Sequence, residues 1–316
     1  MKKTKICRLC LGIFLPLALF ACTPPEPQPQ GNGKPQVVAT STIIADLAQE
    51  VGGEEINLNG ILQPGADPHV YEPVPADSRV LETADLILYN GYNLEPGLIK
   101  LMNATGGKAR NLAVGEVVKP LKLEKSKGQI VPDPHVWGSA ENAISMVNTI
   151  RDSLIELSPE DKDKFNQNAA ELTKELQQLN IWIKQQIQTI PPDKRKLITT
   201  HDAFQYYANA YGMEISGTLI GISTEEQPSA QTVKQLVDAI KKIGVPAIFA
   251  ETTINPALIK TVAQEAGVKL SPDPLYSDSI GAKGSAGDTY MKMMEANTRS
   301  IVEALGGRYT PFQPQK

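Results

Sequence analysis

The chain has 316 residues, 41% of them hydrophobic and 21% charged, which is enough apolar sequence to fill more than one core. Its 31 basic and 35 acidic side chains leave a net charge of −4 with no basic stripe, which excludes a typical nucleic-acid partner. It has only three histidines and three cysteines, so the position of each is informative.

Lys2, Lys3, Lys5 and Arg8 open the chain, and an apolar stretch follows from Leu11 to Phe20. That stretch is shorter than the roughly 20 residues a spanning helix needs, and it matches the apolar region of an export signal. Leu19-Phe20-Ala21-Cys22 then resembles the lipobox of bacterial lipoproteins, where cleavage leaves the cysteine first and acylated. A signal peptide over residues 1–21 and lipidation at Cys22 are therefore expected. Cleavage would also remove Cys7 and Cys10, so their C-x-x-C spacing is not read as a redox or zinc motif. It would leave 27 basic side chains against 35 acidic ones, a net charge of −8. Residues 22–36 are rich in Pro, Gln and Gly and read as an extended tether. Lipid plus tether implies an exported body anchored to the cell membrane without spanning it, facing the periplasm or cell exterior.

From Val37 the chain alternates short apolar runs with helical patterns. Strands are expected at Val37 to Ser41, Ile56 to Leu62 and Asp85 to Tyr89, and helices at Ile43 to Val51 and Glu141 to Leu157. Ser158-Pro159-Glu160-Asp161 reads as a helix start, with a serine cap, proline at the first position and acids in the first turn. Phe165, Leu172, Leu176, Leu179, Ile183, Ile187 and Ile190 continue it at helical steps to Pro191. One helix of roughly 30 residues, about 45 Å long, is the expectation, placed to join two halves. Beyond it the rhythm resumes, with strands at Leu197 to Thr200, Ala247 to Ala250 and Val268 to Leu270. Helices are expected at Phe204 to Tyr211, Thr232 to Ile243, Pro256 to Ala266 and Tyr290 to Leu305. The fold class is α/β, two lobes each built on a mostly parallel sheet flanked by helices and joined by one long rigid helix. The boundaries are 37–157 for the N-terminal lobe, 158–191 for the linking helix and 192–316 for the C-terminal lobe.

The histidines are His69, His135 and His201. Two share one frame, Asp67-Pro68-His69 and Asp133-Pro134-His135, and the third follows the run Lys196 to Thr200. Imidazole is the commonest side-chain ligand of divalent transition metals, and ligands of open parallel sheets gather beyond the carboxyl ends of strands. A fourth ligand is sought among Asp273, Asp278 and Asp288. Glu251, after the strand ending at Ala250, is placed to orient a metal-bound histidine or to sit solvated at the strand end.

Several motifs occur in a fixed order: Pro64-Gly65-x-Asp67-Pro68-His69, Ala84 to Gly91 (ADLILYNG), Asp133-Pro134-His135-Val136-Trp137, Thr200-His201-Asp202-Ala203-Phe204 and Ser277-Asp278-Ser279-Ile280. Together with the lipobox they resemble the manganese/zinc-binding lipoproteins of ABC importers, the TroA-like or cluster A-I solute-binding proteins, from Val37 to about Leu305. The resemblance implies a metal clamped between two lobes, with His69 and His135 from the first and His201 and Asp278 from the second. Asp278 is chosen over Asp273 and Asp288 by the Ser-Asp-Ser-Ile match. Mn²⁺ or Zn²⁺ is implied as cargo, an ABC permease as partner, and a monomer as the working state. Histidine at the third position is associated in the family with zinc and with mixed use. Many zinc-specific members also carry a His-rich loop before the second ligand, and Glu124 to Pro132 contains no histidine. The balance leans to manganese, with zinc close behind, although Zn²⁺ should bind more tightly in vitro. The alternatives are a zinc hydrolase, which typically keeps an open water position on three protein ligands, and an adhesin, which no motif here supports. No HExxH or nucleophile motif is present, and the chain reads as a non-enzyme.

Overall fold

Strand β1 (Gln36–Ala39) buries Val37, Val38 and Ala39 in succession, as a parallel strand covered on both faces does. The computed structural model describes residues 33–105, 107–125 and 129–314, so the expected signal peptide, Cys22 and residues 23–32 of the tether lie outside the described residues. Helix α1 (Thr42–Gly52) crosses from β1 to β2 (Asn57–Gly60), and the Ser41 hydroxyl caps it by accepting the Ile44 amide at 3.2 Å. After α2 (Pro75–Glu82) come β3 (Leu86–Tyr89), α3 (Pro96–Thr105) and β4 (Arg110–Ala113). The four strands form one parallel sheet in the order β2-β1-β3-β4. An antiparallel hairpin, β5 (Lys122–Lys125) and β6 (Gln129–Pro132), leads to α4 (Ala140–Leu157).

Alternation along β1 sorts the two faces. Val38 packs with Leu81, Leu98 and Met102 of α2 and α3. Val37 and Ala39 pack with Leu47 of α1, Val147 and Ile150 of α4, and α5 (Lys162–Gln188). Neither α2 nor α3 shows in the sequence as a helix. Each buries only two side chains, Asp77 and Leu81 or Leu98 and Met102, too few to set up a 3.6-residue period.

The long helix is real but starts later than expected. Pro159–Asp161 forms a 3-10 turn, and the Ser158 hydroxyl donates to Asp161 at 2.6 Å, so the serine closes that turn instead of capping the α-helix. The helix α5 then runs 27 residues, about 40 Å. The Arg195 guanidinium donates to the carbonyls of Ile190 and Gln188 at its end, both at 3.0 Å.

The second half repeats the architecture. β7 (Lys196–Thr199), α6 (Gln205–Tyr211) and β8 (Glu214–Thr218) form one parallel pair and its crossover. After α7 (Ala230–Ile243), β9 (Ala247–Ile248) pairs in parallel, across α8 (Ala257–Ala266), with β10 (Lys269–Leu270). The Phe249 amide donates to the Ile198 carbonyl at 3.0 Å, which sets β9 alongside β7. Leu236 and Ile240 of α7 and Ile259 and Val262 of α8 pack on Ile198 and Ile248. The last helix, α9 (Tyr290–Ala304), places Met293 and Ile301 in the same cluster as Leu176, Leu179 and Ile183 of α5. α5 is thus connector and core at once, and the described residues from Lys34 onward pack as one unit.

Candidate metal centre

The repeated Asp-Pro-His frame is a repeated turn. The Asp67 carboxylate accepts the His69 amide at 2.9 Å, and the Asp133 carboxylate accepts the His135 amide at 3.0 Å. The intervening proline has no N–H, so the histidine amide is the first donor the aspartate meets. Ahead of His69, the Ala66 amide donates to the Gln63 carbonyl at 2.9 Å with Gly65 at φ +84°. Pro64-Gly65 therefore occupies the centre of a type II turn, where a positive φ favours glycine. His201 leaves the end of β7, and its backbone amide donates to Glu251 at 2.8 Å.

These local devices converge. His69, His135, His201 and Asp278 are all buried, and one ligand atom from each lies within 4.8 Å of the other three. Nε2 of His69 stands 3.2 Å from Nε2 of His135. Asp278 presents Oδ1 3.4 Å from His135 Nε2 and Oδ2 3.2 Å from His201 Nε2. A tetrahedral zinc site with bonds near 2.0 Å has edges of about 3.3 Å, and these three separations are of that size. His201 Nε2 and Asp278 Oδ1 have no aligned hydrogen-bond partner among the described residues, as expected of donors that a cation would satisfy. Asp273 instead faces Arg299, and Asp288 accepts from Gly284 and Lys292.

The imidazoles are held from behind. His135 Nδ1 lies 2.7 Å from Asp133, and His201 Nδ1 is hydrogen-bonded to the Glu251 carboxylate. A proton on each Nδ1 leaves the Nε2 lone pair for a metal. Burial opposes charge on His201, but the facing Glu251 and Asp278 carboxylates outweigh it and hold the imidazole well above its ordinary range. Burial likewise opposes ionisation of Asp278, yet His201, His135 and His69 hold its carboxyl below the usual carboxylate range.

A family model described as zinc-uptake complex component A, periplasmic, matches residues 37–304. The chain belongs to this family. Among curated relatives, the metal ABC transporter substrate-binding lipoprotein FimA of Streptococcus parasanguinis is 36% identical over 304 residues, 94% of this chain and 97% of the relative. The manganese ABC transporter substrate-binding lipoprotein PsaA of Streptococcus anginosus is 34% identical, over 93% and 97% of the two chains. Among solved structures, the periplasmic zinc-binding protein TroA of Treponema pallidum superposes with a TM-score of 0.82 at 33% identity, covering 86% of this chain and 99% of that one.

In this member of the zinc-uptake component A family, the residue that sequence reasoning missed is Asp133. In the sequence it stands only as part of a repeated frame, yet it bonds to His135 much as Glu251 bonds to His201. Its signal was the spacing itself, since an aspartate two residues before a histidine can reach both backbone amide and ring. Tyr206 and Asn90 fix the same turn, donating to the carbonyls of Asp133 at 3.0 Å and Pro134 at 2.9 Å. His69 is the outward member of the set. It lines a cavity of about 390 Å³ with Tyr92, Glu116, Pro134, Ile222 and Glu225.

Proposed function

We propose that this chain captures one Mn²⁺ or Zn²⁺ ion through His69, His135, His201 and Asp278 and delivers it to the membrane permease of an ABC importer. The observation that carries this reading is the buried three-histidine, one-carboxylate cluster, whose ligand atoms lie within 4.8 Å of one another and which has carboxylates behind two of its imidazoles. The relatives FimA and PsaA, a metal and a manganese ABC transporter substrate-binding lipoprotein, support it. Three imidazoles and a carboxylate suit Zn²⁺ and also serve Mn²⁺, and manganese is the cargo we favour. Asp278 fills the position that catalytic zinc keeps for water, so no hydrolytic role is proposed. We place the protein outside the cytoplasm as a monomer of two lobes, 37–157 and 192–316, bridged by 158–191 and held to the membrane by lipid on Cys22. No helix of the described residues is long and apolar enough to cross a membrane, and a lipid anchor needs none.

Titration calorimetry on His135→Ala, with metal content measured by mass spectrometry, tests the site. Binding of Zn²⁺ and Mn²⁺ should fall sharply while the metal-free protein keeps its fold. Unchanged stoichiometry and affinity would refute the assignment.

A further inference from the structure

Asp278 belongs to the second half of the chain, yet both its neighbours are tied to the first half. On one side the Trp137 indole donates to the Ser277 carbonyl at 2.9 Å, while its ring meets His135 edge-on at 5.5 Å between centroids. On the other side lies a closed set of hydrogen bonds around Ser279 and Thr42, the first residue of α1. The Gly65 amide donates to Ser279 Oγ at 2.8 Å, and the Ile280 amide donates to Thr42 Oγ1 at 3.1 Å. The two hydroxyl oxygens are 3.0 Å apart, and Ser279 Oγ donates to the Ile280 carbonyl at 3.0 Å.

A hydroxyl has one proton to give and two lone pairs. Ser279 spends its proton on Ile280 and accepts from Gly65, so the remaining contact requires Thr42 to donate to Ser279. With Thr42 as donor in that contact, every donor and acceptor in this set has a role. Both side chains are buried, Thr42 at 5% and Ser279 at 1% exposure, so water does not replace a lost partner without a larger movement. The set joins three pieces: the start of α1, the turn that leads to His69, and the segment that carries Asp278.

We infer that Thr42 is a positioning residue that latches the Asp278 segment onto the first half and so governs how fast bound metal leaves. This rests on the metal-binding reading above. The Asp278 carboxylate cannot move far from the three imidazoles while Ser277 and Ser279 stay fastened. Of the three bonds that fasten Ser279 and Ile280 to the first half, two run through the Thr42 hydroxyl and one through the Gly65 amide. Opening the latch is the step that frees Asp278, so loosening it should act chiefly on the dissociation rate, where most affinity differences between related complexes lie.

The test uses the full-length protein loaded with Zn²⁺ and, separately, with Mn²⁺, mixed with excess chelator in a stopped-flow instrument. Thr42→Val keeps the shape and removes the hydroxyl, and Ser279→Ala breaks the same set from the other side. Thr42→Val loses two buried hydrogen bonds and should speed release about ten- to thirtyfold, and Ser279→Ala loses three and should speed it at least as much. Association should stay within about twofold of wild type, and Thr42→Ser should restore slow release. The double variant should release metal faster than either single one but by less than the product of their effects, because the Thr42–Ser279 bond is lost in both. Wild-type release from Thr42→Val and Ser279→Ala at normal stoichiometry overturns the inference. So does a Thr42→Ser variant as fast as Thr42→Val, which would make the methyl group and not the hydroxyl the cause. Failure of the underlying reading looks different, since wild-type protein would then not bind one ion, or His135→Ala would bind as well as wild type.

Discussion

Replacing Glu251 by Gln keeps the side chain's shape and removes its charge. In the wild type one oxygen accepts the His201 amide at 2.8 Å and the other is hydrogen-bonded to His201 Nδ1. If the glutamine oxygen keeps the backbone amide, its NH₂ faces Nδ1, which must then accept. That moves the ring proton to Nε2, the atom aimed at Asp278 and the metal. If the amide flips, the buried His201 N–H faces a donor and loses its partner, at a cost of about 1–3 kcal/mol. Both routes penalise the metal-bound state. Partners of this kind are typically worth about 10–100-fold in metal affinity, or about 1.4–2.7 kcal/mol. Competition calorimetry against a chelator of known affinity measures the loss, and melting of the metal-free variant monitors its fold. An affinity within twofold of wild type, in a variant with a normal melting curve, would mean that Glu251 does not set the tautomer and that the reasoning fails.

Cys22→Ser should release the protein from membranes or leave it uncleaved, and mass spectrometry of an unmodified Cys22 in a cleaved, membrane-bound chain would count against lipidation. Small-angle scattering should give nearly equal radii of gyration with and without metal, because α5 packs into both halves without a break; a large contraction on loading would contradict this. Glu95 is buried against Thr40 and the Asn90 amide, and burial pushes its carboxyl from 4.5 up to about 7. The folded state therefore binds this proton more tightly than the unfolded chain, so the associated stability is present at low pH and is lost as pH rises through about 7. The melting temperature of Glu95→Gln relative to wild type should accordingly increase between pH 5 and pH 8, and a pH-independent difference would rule out this linkage.

What the sequence could reveal followed from local rules. The buried run at β1, the heavily apolar face of α5 and the duplicated Asp-Pro-His turn each depend on residues close together in the chain, so their patterns survive without coordinates. The hairpin β5–β6 left no trace because Gln129 and Ile130 are exposed and no alternation develops. β8 contains Gly217 and a register irregularity opposite Leu197 and Ile198, which hides its period. Gly281 and Gly287 follow Asp278 at positions where a Cβ on either would come within 2.8 Å of the Tyr276 ring. They are there for close packing. The partnership of Thr42 with Ser279 spans 237 positions, and no spacing rule reaches that far.

All three imidazoles of the chain sit in one cluster. The histidine region of a proton or nitrogen magnetic-resonance spectrum therefore has no bystander signals, and each resonance that moves on titration reports on the centre itself. The same economy makes the protein vulnerable to its own purification handle. A polyhistidine tag would outnumber the native imidazoles and compete for the cargo, so binding stoichiometries mean something only once the tag has been cut away.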